Sequence, residues 1–288
     1  MVSYPPMDDG QTAPLIALLT DFGTQDPFVG IMKGVMAGIA PGVPLVDVTH
    51  EIPPGEVLHA AVALWQAVPY FPAGTVFLCV VDPGVGTARA AVLVDTPAAR
   101  FVGPDNGLFT FVLGRKWRAW ELENPAYRLP GGSNTFHGRD IFAPAAAHAA
   151  RGTAGPRFGS ERSHPVRLPP PRLGQPVRGG LSGEVLYADR FGNLLTSLGR
   201  FREAEHGWVF SPWVGELQER TLLPEGVRLP DGRKLPLVRT FGQLAEGECG
   251  ALVGSSGLLE IVANRASARE ILGLGRGDRI TLIERRVS

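Results

Sequence analysis

The sequence predicts an α/β fold, with an N-terminal, mainly parallel sheet carrying helices on both faces and a smaller C-terminal all-β domain. Three observations predict it. In the first half, short apolar runs that close on a polar residue alternate with helical patterns, as in a parallel sheet covered on both faces. From Arg151 to Gly180 the texture turns to Pro, Gly and Arg with almost no apolar periodicity. Beyond Gly180, short strand-like runs are separated by Gly, Pro and Asp turns.

The elements follow in order. Leu15 to Leu19 is a strand ending in Thr20 and Asp21, and Phe28, Ile31, Met32, Val35, Met36 and Ile39 then fall at helical spacing on one apolar stripe. The methionines on that stripe read as core. Val43 to Val48 is a second strand ending in Thr49 and His50, and a helix runs from Glu56 to Val68, stopped before Pro69. Val76 to Val81 ends in Asp82, and Phe101 and Val102 lead to Asp105 and Asn106. An Ala-rich helix from Asp140 to Ala150 stops at Gly152. This divides the chain into an α/β domain at 1–152, a Pro/Gly-rich linker at 153–180 that includes Pro156, Pro165, Pro169, Pro170, Pro171 and Pro176, and a β domain at 181–288. In the last, Gly183 to Tyr187, Leu194 to Leu198, Leu235 to Val238, Ala251 to Val253, Leu258 to Val262 and Arg279 to Ile283 are the strand-like runs.

Composition narrows the function. With 28 basic and 28 acidic side chains in 288 residues the formal net charge is zero, so no electrostatic footprint for nucleic acid or an anionic membrane is expected. Cys79 and Cys249 are the only cysteines, which leaves neither a disulfide scaffold nor a cysteine zinc site, and Cys79 in its apolar run reads as a buried thiol. No run approaches the length of a membrane span and the N-terminus has no signal-peptide pattern, so a soluble cytoplasmic protein is expected. Gly 37 and Pro 26 exceed average usage, and tight turns must be in demand somewhere.

Four clusters in the first domain carry chemistry: Thr20-Asp21-Phe22-Gly23 with Asp26, Asp82-Pro83-Gly84-Val85-Gly86 followed by Arg89, Gly103-Pro104-Asp105-Asn106-Gly107, and His137-Gly138-Arg139-Asp140. One Asp beside Gly is first a turn residue or a cap. Several at successive strand ends mark a crevice outside the carboxyl ends of the strands. The Asp21-Phe22-Gly23 tripeptide does not make a kinase, since the glycine-rich loop, strand lysine and catalytic-loop pattern are missing, and no P-loop is present. A metal-dependent phosphoesterase would need close ligand pairs that His50, His59, His137 and His148 do not offer, so no metal site is expected.

Taken together, Leu18-Leu19-Thr20-Asp21-Phe22-Gly23-Thr24, Val80-Val81-Asp82-Pro83-Gly84-Val85-Gly86, Gly103-Pro104-Asp105-Asn106-Gly107, Phe136-His137-Gly138-Arg139-Asp140, Asp189-Arg190-Phe191-Gly192-Asn193 and Ser255-Ser256-Gly257-Leu258-Leu259-Glu260-Ile261 resemble the S-adenosylmethionine hydroxide adenosyltransferases, hydrolases related to fluorinase and chlorinase. The resemblance spans nearly the whole chain in the family's order. It implies a barrel-like C-terminal domain and a homotrimer with S-adenosylmethionine (SAM) at the subunit interface. The implied reaction is attack of water or hydroxide on ribose C5′ to give adenosine and L-methionine, without metal or organic cofactor.

The resemblance also implies residue roles. Asp82, Arg89 and His137 match a catalytic triad beside the attacking water. Arg89 is permanently cationic and favours hydroxide, Asp82 fixes Arg89 or His137, and His137 titrates near neutrality, so the sequence leaves open which of them takes the proton. The alternative is a structural Asp82–Arg89 ion pair with His137 capping a helix. Asp21 matches the carboxylate on the ribose diol, Asp26 and Asp189 match carboxylates near the methionine ammonium, and Ser255 matches a hydroxyl at the amino-acid end. Phe191 and Phe241 match aromatic faces beside adenine, with Asn193 on the base edge. Fluorinase carries a halide-contacting serine where Gly138 stands and lacks the triad, so the resemblance favours hydrolysis here over a SAM-dependent halogenase; a SAM/adenosine-binding protein with negligible turnover is the alternative of another class.

Overall fold

The computed structural model describes residues 14–174, 180–205 and 207–285. Residues 1–13, 206 and 286–288 of the predicted domains, and 175–179 of the predicted linker with Pro176, lie outside the described residues. The chain divides into two compact units, 1–168 and 169–288.

In the first unit, β1 (Ile16–Thr20), β2 (Leu45–Thr49), β3 (Val76–Val80), β4 (Ala91–Asp95), β5 (Arg100–Pro104) and β6 (Arg118–Glu121) form one sheet in the order β2-β1-β3-β5-β4-β6. The first four strands of that order run parallel, whereas β4 pairs antiparallel with both β5 and β6. The sequence patterns do not reveal β4 and β6. Only Thr96 to Ala99 joins β4 to β5, too short for a parallel crossover, so the two strands make a hairpin.

The continuous apolar runs have a direct cause. Along β1, Ile16 and Leu18 enter a core with Met32 and Met36 of α1 (Phe28–Ile39) and with Ala143, Ala146 and Ala147 of α3 (Ala143–Ala150). Ala17 and Leu19 enter the opposite core with Ala60 and Leu64 of α2 (Val57–Ala67). Both strand faces are therefore dry, and each large side chain so buried contributes about 1.5–3 kcal/mol. β2 departs from this pattern: as the edge strand it starts at Leu45, leaves Val46 partly exposed and pairs Asp47 with Lys33 at 2.6 Å. The α1 stripe is also narrower than its spacing suggests. Val29, Met32 and Met36 are buried, while Phe28 and Ile31 remain exposed.

Residues 155–168, inside the Pro- and Gly-rich stretch, pack on this unit. Phe158 is buried, Glu161 bridges to Trp120, and Arg162 reaches Asp105 and Glu121 at 2.5 and 2.6 Å. The backbone N–H of Val166 donates to the other Asp105 oxygen. Asp105 is thus a buried tie for this strap.

The second unit is built from β7 (Leu173–Gly174), β8 (Leu181–Ala188), β9 (Leu194–Thr196), β10 (Arg200–Ala204), β11 (Gly207–Ser211), β12 (Arg220–Leu222), β13 (Pro224–Arg228), β14 (Lys234–Leu235), β15 (Cys249–Val253), β16 (Leu259–Ala263), α4 (Ala268–Leu272) and β17 (Arg279–Glu284). The main sheet runs β14-β13-β17-β8-β9-β16-β15, with β7 on β8, and a bridge between Leu237 and Ala251 brings its two ends together. The result is a nearly closed antiparallel barrel around Leu181, Val185, Leu194, Val227, Ile261, Ile280 and Leu282. β10, β11 and β12 form a separate three-stranded sheet that the sequence patterns miss, since β10 (Arg-Phe-Arg-Glu-Ala) buries only Phe201. Among the described residues no helix is long and apolar enough to cross a membrane.

Candidate active site

The chain order fixes where a crevice opens. From β1 it passes through α1 to β2 on one side, and from β2 through α2 to β3 on the other side of β1. The order therefore reverses between β1 and β3, the position outside which ligands bind in open α/β sheets. Asp21 follows β1 and Asp82 lies two residues beyond β3. A cavity of about 540 Å³ lies here, lined by Asp21, Phe22, Phe28, Gly55, Asp82 and His137 among others.

Asp82 and His137, far apart in sequence, both line this cavity and are joined by Arg89, which does not line it. The loop after Asp82 turns back on itself, with Val85 N–H donating to the Asp82 carbonyl and Thr87 N–H to that of Gly84, and so returns Arg89 to Asp82. Arg89 Nε donates to both Asp82 oxygens at 2.9 and 3.0 Å, and its Nη2 donates to Asp82 Oδ2 as well. Nη2 also donates to His137 Nδ1 at 2.9 Å, and Nη1 to the Ala90 carbonyl. Both charged side chains are nearly buried, so this fork is a charge-assisted pair in a poorly solvated place. The guanidinium also sits over the Phe142 ring, 5.1 Å from its centroid.

His137 reaches this pair because a π-helical turn, Gly138–Phe142, precedes α3. His137 occupies the N-cap position yet makes no side-chain cap bond, so its imidazole serves Arg89 rather than the helix. An arginine can only donate, so Nδ1 accepts and the proton of the neutral ring resides on Nε2. Burial and the adjacent Arg89 charge both hold His137 below the usual imidazole range.

Around the triad the cavity is aromatic. Phe22, Phe28 and Phe136 meet edge to face with centroids 5.9, 6.2 and 5.3 Å apart. Gly138 permits this closeness, since a Cβ there would lie 2.9 Å from Met32 Sδ, 3.2 Å from Phe136 and 3.3 Å from Phe22. Asp21 also lines the cavity: its Oδ2 accepts from Gly55 N–H at 2.9 Å, and burial together with the Asp82 charge raises its carboxyl above the usual range. Sequence reasoning did not single out the three phenylalanines as site residues. The signal was available for Phe22 and Phe136, which adjoin Asp21 and His137, but Phe28 is indistinguishable from a core position by periodicity.

The other candidates are placed as follows. Asp26 is exposed and does not line the cavity. In the second unit, Asp189 accepts from the N–H groups of Phe191 and Asn193 and from Asn193 Nδ2 at 2.8–2.9 Å, so it builds its own loop. That loop holds Phe191 out at 76% exposure and buries Asn193. Phe241 opens a short 3-10 turn and is partly exposed, and Ser255 is exposed on the turn between β15 and β16. Glu260, which the sequence reading did not propose, packs against Gly254, and burial with the nearby Asp189 charge pushes it up to about 7. Among the described residues no group of His, Cys, Asp and Glu is arranged to hold a metal ion.

Comparison with known proteins bears on this geometry. Residues 16–159 match the model of the SAM hydroxide adenosyltransferase N-terminal domain, and residues 183–281 match that of the C-terminal domain. The chain belongs to the SAM hydroxide adenosyltransferase family. It is 46% identical over 277 residues to an (R)-S-adenosyl-L-methionine hydrolase of Thermus thermophilus, covering 93% of this chain and 99% of that one. A fluorinase of Actinoplanes sp. strain N902-109 is more distant, 30% identical over 298 residues with 93% and 97% covered. A crystal structure of an uncharacterized conserved protein from Thermotoga maritima superposes with a TM-score of 0.79 at 34% identity, covering 93% of this chain and all of that one. The hydroxide adenosyltransferase resemblance drawn from the motifs therefore stands.

Proposed function

We propose that the chain hydrolyses (R)-S-adenosyl-L-methionine to adenosine and L-methionine at the cavity between β1 and β3. The single observation that carries this reading is the Asp82–Arg89–His137 network, whose Asp82 and His137 line the cavity together with Asp21. A sulfonium is already an activated leaving group, so the protein need only align a nucleophile behind C5′ and stabilise its charge. Arg89 supplies a fixed positive charge held by Asp82, and His137 supplies an N–H donor from Nε2. A site with a cation and a donor but no free base favours hydroxide over water. Asp21 is suited to accept from both ribose hydroxyls.

The stereochemistry rests on the curated relatives' names and on the aromatic wall. A sulfonium is pyramidal, so its two epimers direct the methyl group to different sides, and Phe22, Phe28 and Phe136 form a fixed surface that can discriminate them. No metal or organic cofactor is required by this chemistry. We further propose a cytoplasmic homotrimer in which Asp189, Phe191, Asn193, Phe241 and Ser255 of a neighbouring subunit complete the substrate site. The exposed Phe28 and Val85 at the cavity, and the exposed Phe191 and Phe241, support a partner surface.

The test is to incubate the protein with each sulfonium epimer of SAM, with and without a chelator, and to separate the nucleosides. Adenosine is expected to form faster from the (R) epimer and to be insensitive to chelation. No adenosine from either epimer overturns the hydrolase reading, and a halogenated nucleoside in chloride or fluoride would replace it.

A further inference from the structure

A second cavity, of about 450 Å³, lies on the first unit between the Pro125–Asn134 segment and the π-helical turn, lined by Arg128, Leu129, Ser133, Asn134, Asp140 and His137 among others. Of the residues lining this cavity and the one between β1 and β3, only His137 is common to both. His137 is therefore the residue at which this cavity and the one between β1 and β3 adjoin.

The proposed reaction gives that shared position a task. As hydroxide attacks, the C5′–O bond forms and the C5′–S bond breaks with its electron pair passing to sulfur, and because that hydroxide derives from water, one proton is released per turnover. The basic atoms of the triad are already engaged by a cation. Both Asp82 oxygens are held by Arg89, and the His137 Nδ1 lone pair accepts from the same guanidinium. A ligand filling a cavity of about 540 Å³ loses roughly 70–90% of its surface to the walls. Solvent on the substrate side is then displaced while the proton must still leave and the next water must still reach the triad.

We propose that the second cavity is the solvent route to the triad in the substrate-filled enzyme, carrying the product proton out and water in past His137. This rests on the hydrolase reading. The walls suit passage rather than storage. Asp140 is buried with Oδ1 bonded to Arg139 Nε at 2.6 Å and Oδ2 to Ser133 N–H at 2.6 Å and Arg139 Nη2 at 2.9 Å. Those partners hold its carboxyl below the usual range. Arg128 stays cationic and donates through Nε to the Leu122 carbonyl. The loop is also held in position: Gly86, at φ +78°, passes so close to Asn134 that a Cβ there would lie 2.9 Å from the Asn134 carbonyl oxygen.

Deuterium exchange at the imidazole C2 of His137, read by mass spectrometry on the full chain, tests the route. It is measured without ligand and with saturating adenosine plus L-methionine, in the wild type, in Asn134→Trp and independently in Ser133→Phe, with product binding checked by calorimetry. In the wild type, exchange is expected to persist when the products are bound. In either plugged variant it should fall by about tenfold with products bound but not without them. The proposal is overturned if products alone slow wild-type His137 to the rate of buried His50, or if neither plug slows the product complex. Adenosine formation from SAM by the same wild-type sample is scored separately: its absence refutes the hydrolase reading, whereas the exchange pattern alone decides the route.

Discussion

At the residue scale, the site is a division of labour among donors and acceptors. Arg89 spends four of its five N–H groups on Asp82, His137 and Ala90 and does not line the cavity, so its influence on the substrate is its charge. Replacing Asp82 with Asn, or His137 with Gln, should lower kcat by about 10²–10⁴-fold with SAM binding retained, measured by steady-state kinetics and calorimetry. Unchanged turnover in both would remove the triad from the mechanism. The pH dependence follows from the lowered His137 pKa. The folded ring resists protonation more than the unfolded one, so its contribution to stability is complete above the ordinary imidazole pKa of about 6.5 and is lost as pH falls below it. NMR titration of His137 should therefore place its inflection below that of a free imidazole. In Arg89→Gln, which removes the nearest like charge, the inflection should move upward.

At the scale of elements, the π-helical turn and α1 are locked together through Gly138, which lies against Met32, Phe22 and Phe136. Gly138→Ser should cost about 1–3 kcal/mol of stability by overpacking and should displace the aromatic wall. Thermal denaturation reads the first effect and the ratio of turnover on the two SAM epimers the second. If the variant is as stable and as selective as the wild type, the wall is not set by this contact. At Gly138 a side chain would have to push the sulfur and two rings aside, so the serine that the motif resemblance places here in fluorinase has no room in this packing. Several elements around the site were legible in the sequence, because runs such as Leu15 to Leu19 and Val76 to Val81 must be apolar throughout when both strand faces are dry. β2 and the α1 stripe were less so. A position at a sheet edge or a cavity mouth has the same periodicity as one in the core, and only its neighbours distinguish Phe28 from Met32.

At the scale of the whole molecule, two units carry the candidate residues, and the second presents its aromatic candidates on exposed loops at the end of strands of a nearly closed barrel. Exposed aromatic side chains on both units suit an assembly that covers them. Analytical ultracentrifugation should find a species of about three times 30.7 kDa, and Phe191→Ala should weaken SAM binding without unfolding the barrel. A monomer with full activity would refute the shared site.

The sequence by itself determined the α/β plan, the order of the motifs and the residue types of the triad. Those features are local: dry strands demand continuous apolar runs, and strand ends in such a sheet demand turn-forming Gly, Pro and Asp, which explains their excess. Only the tertiary structure decided that Arg89 donates to His137 Nδ1, that His137 lines two cavities, and that Asp105 ties down a strap while Asp82 lines a crevice. Each of those depends on which groups from distant segments meet in a poorly solvated space. Hydrogen-bond direction and solvent access are properties of that meeting, and no spacing along one segment encodes them.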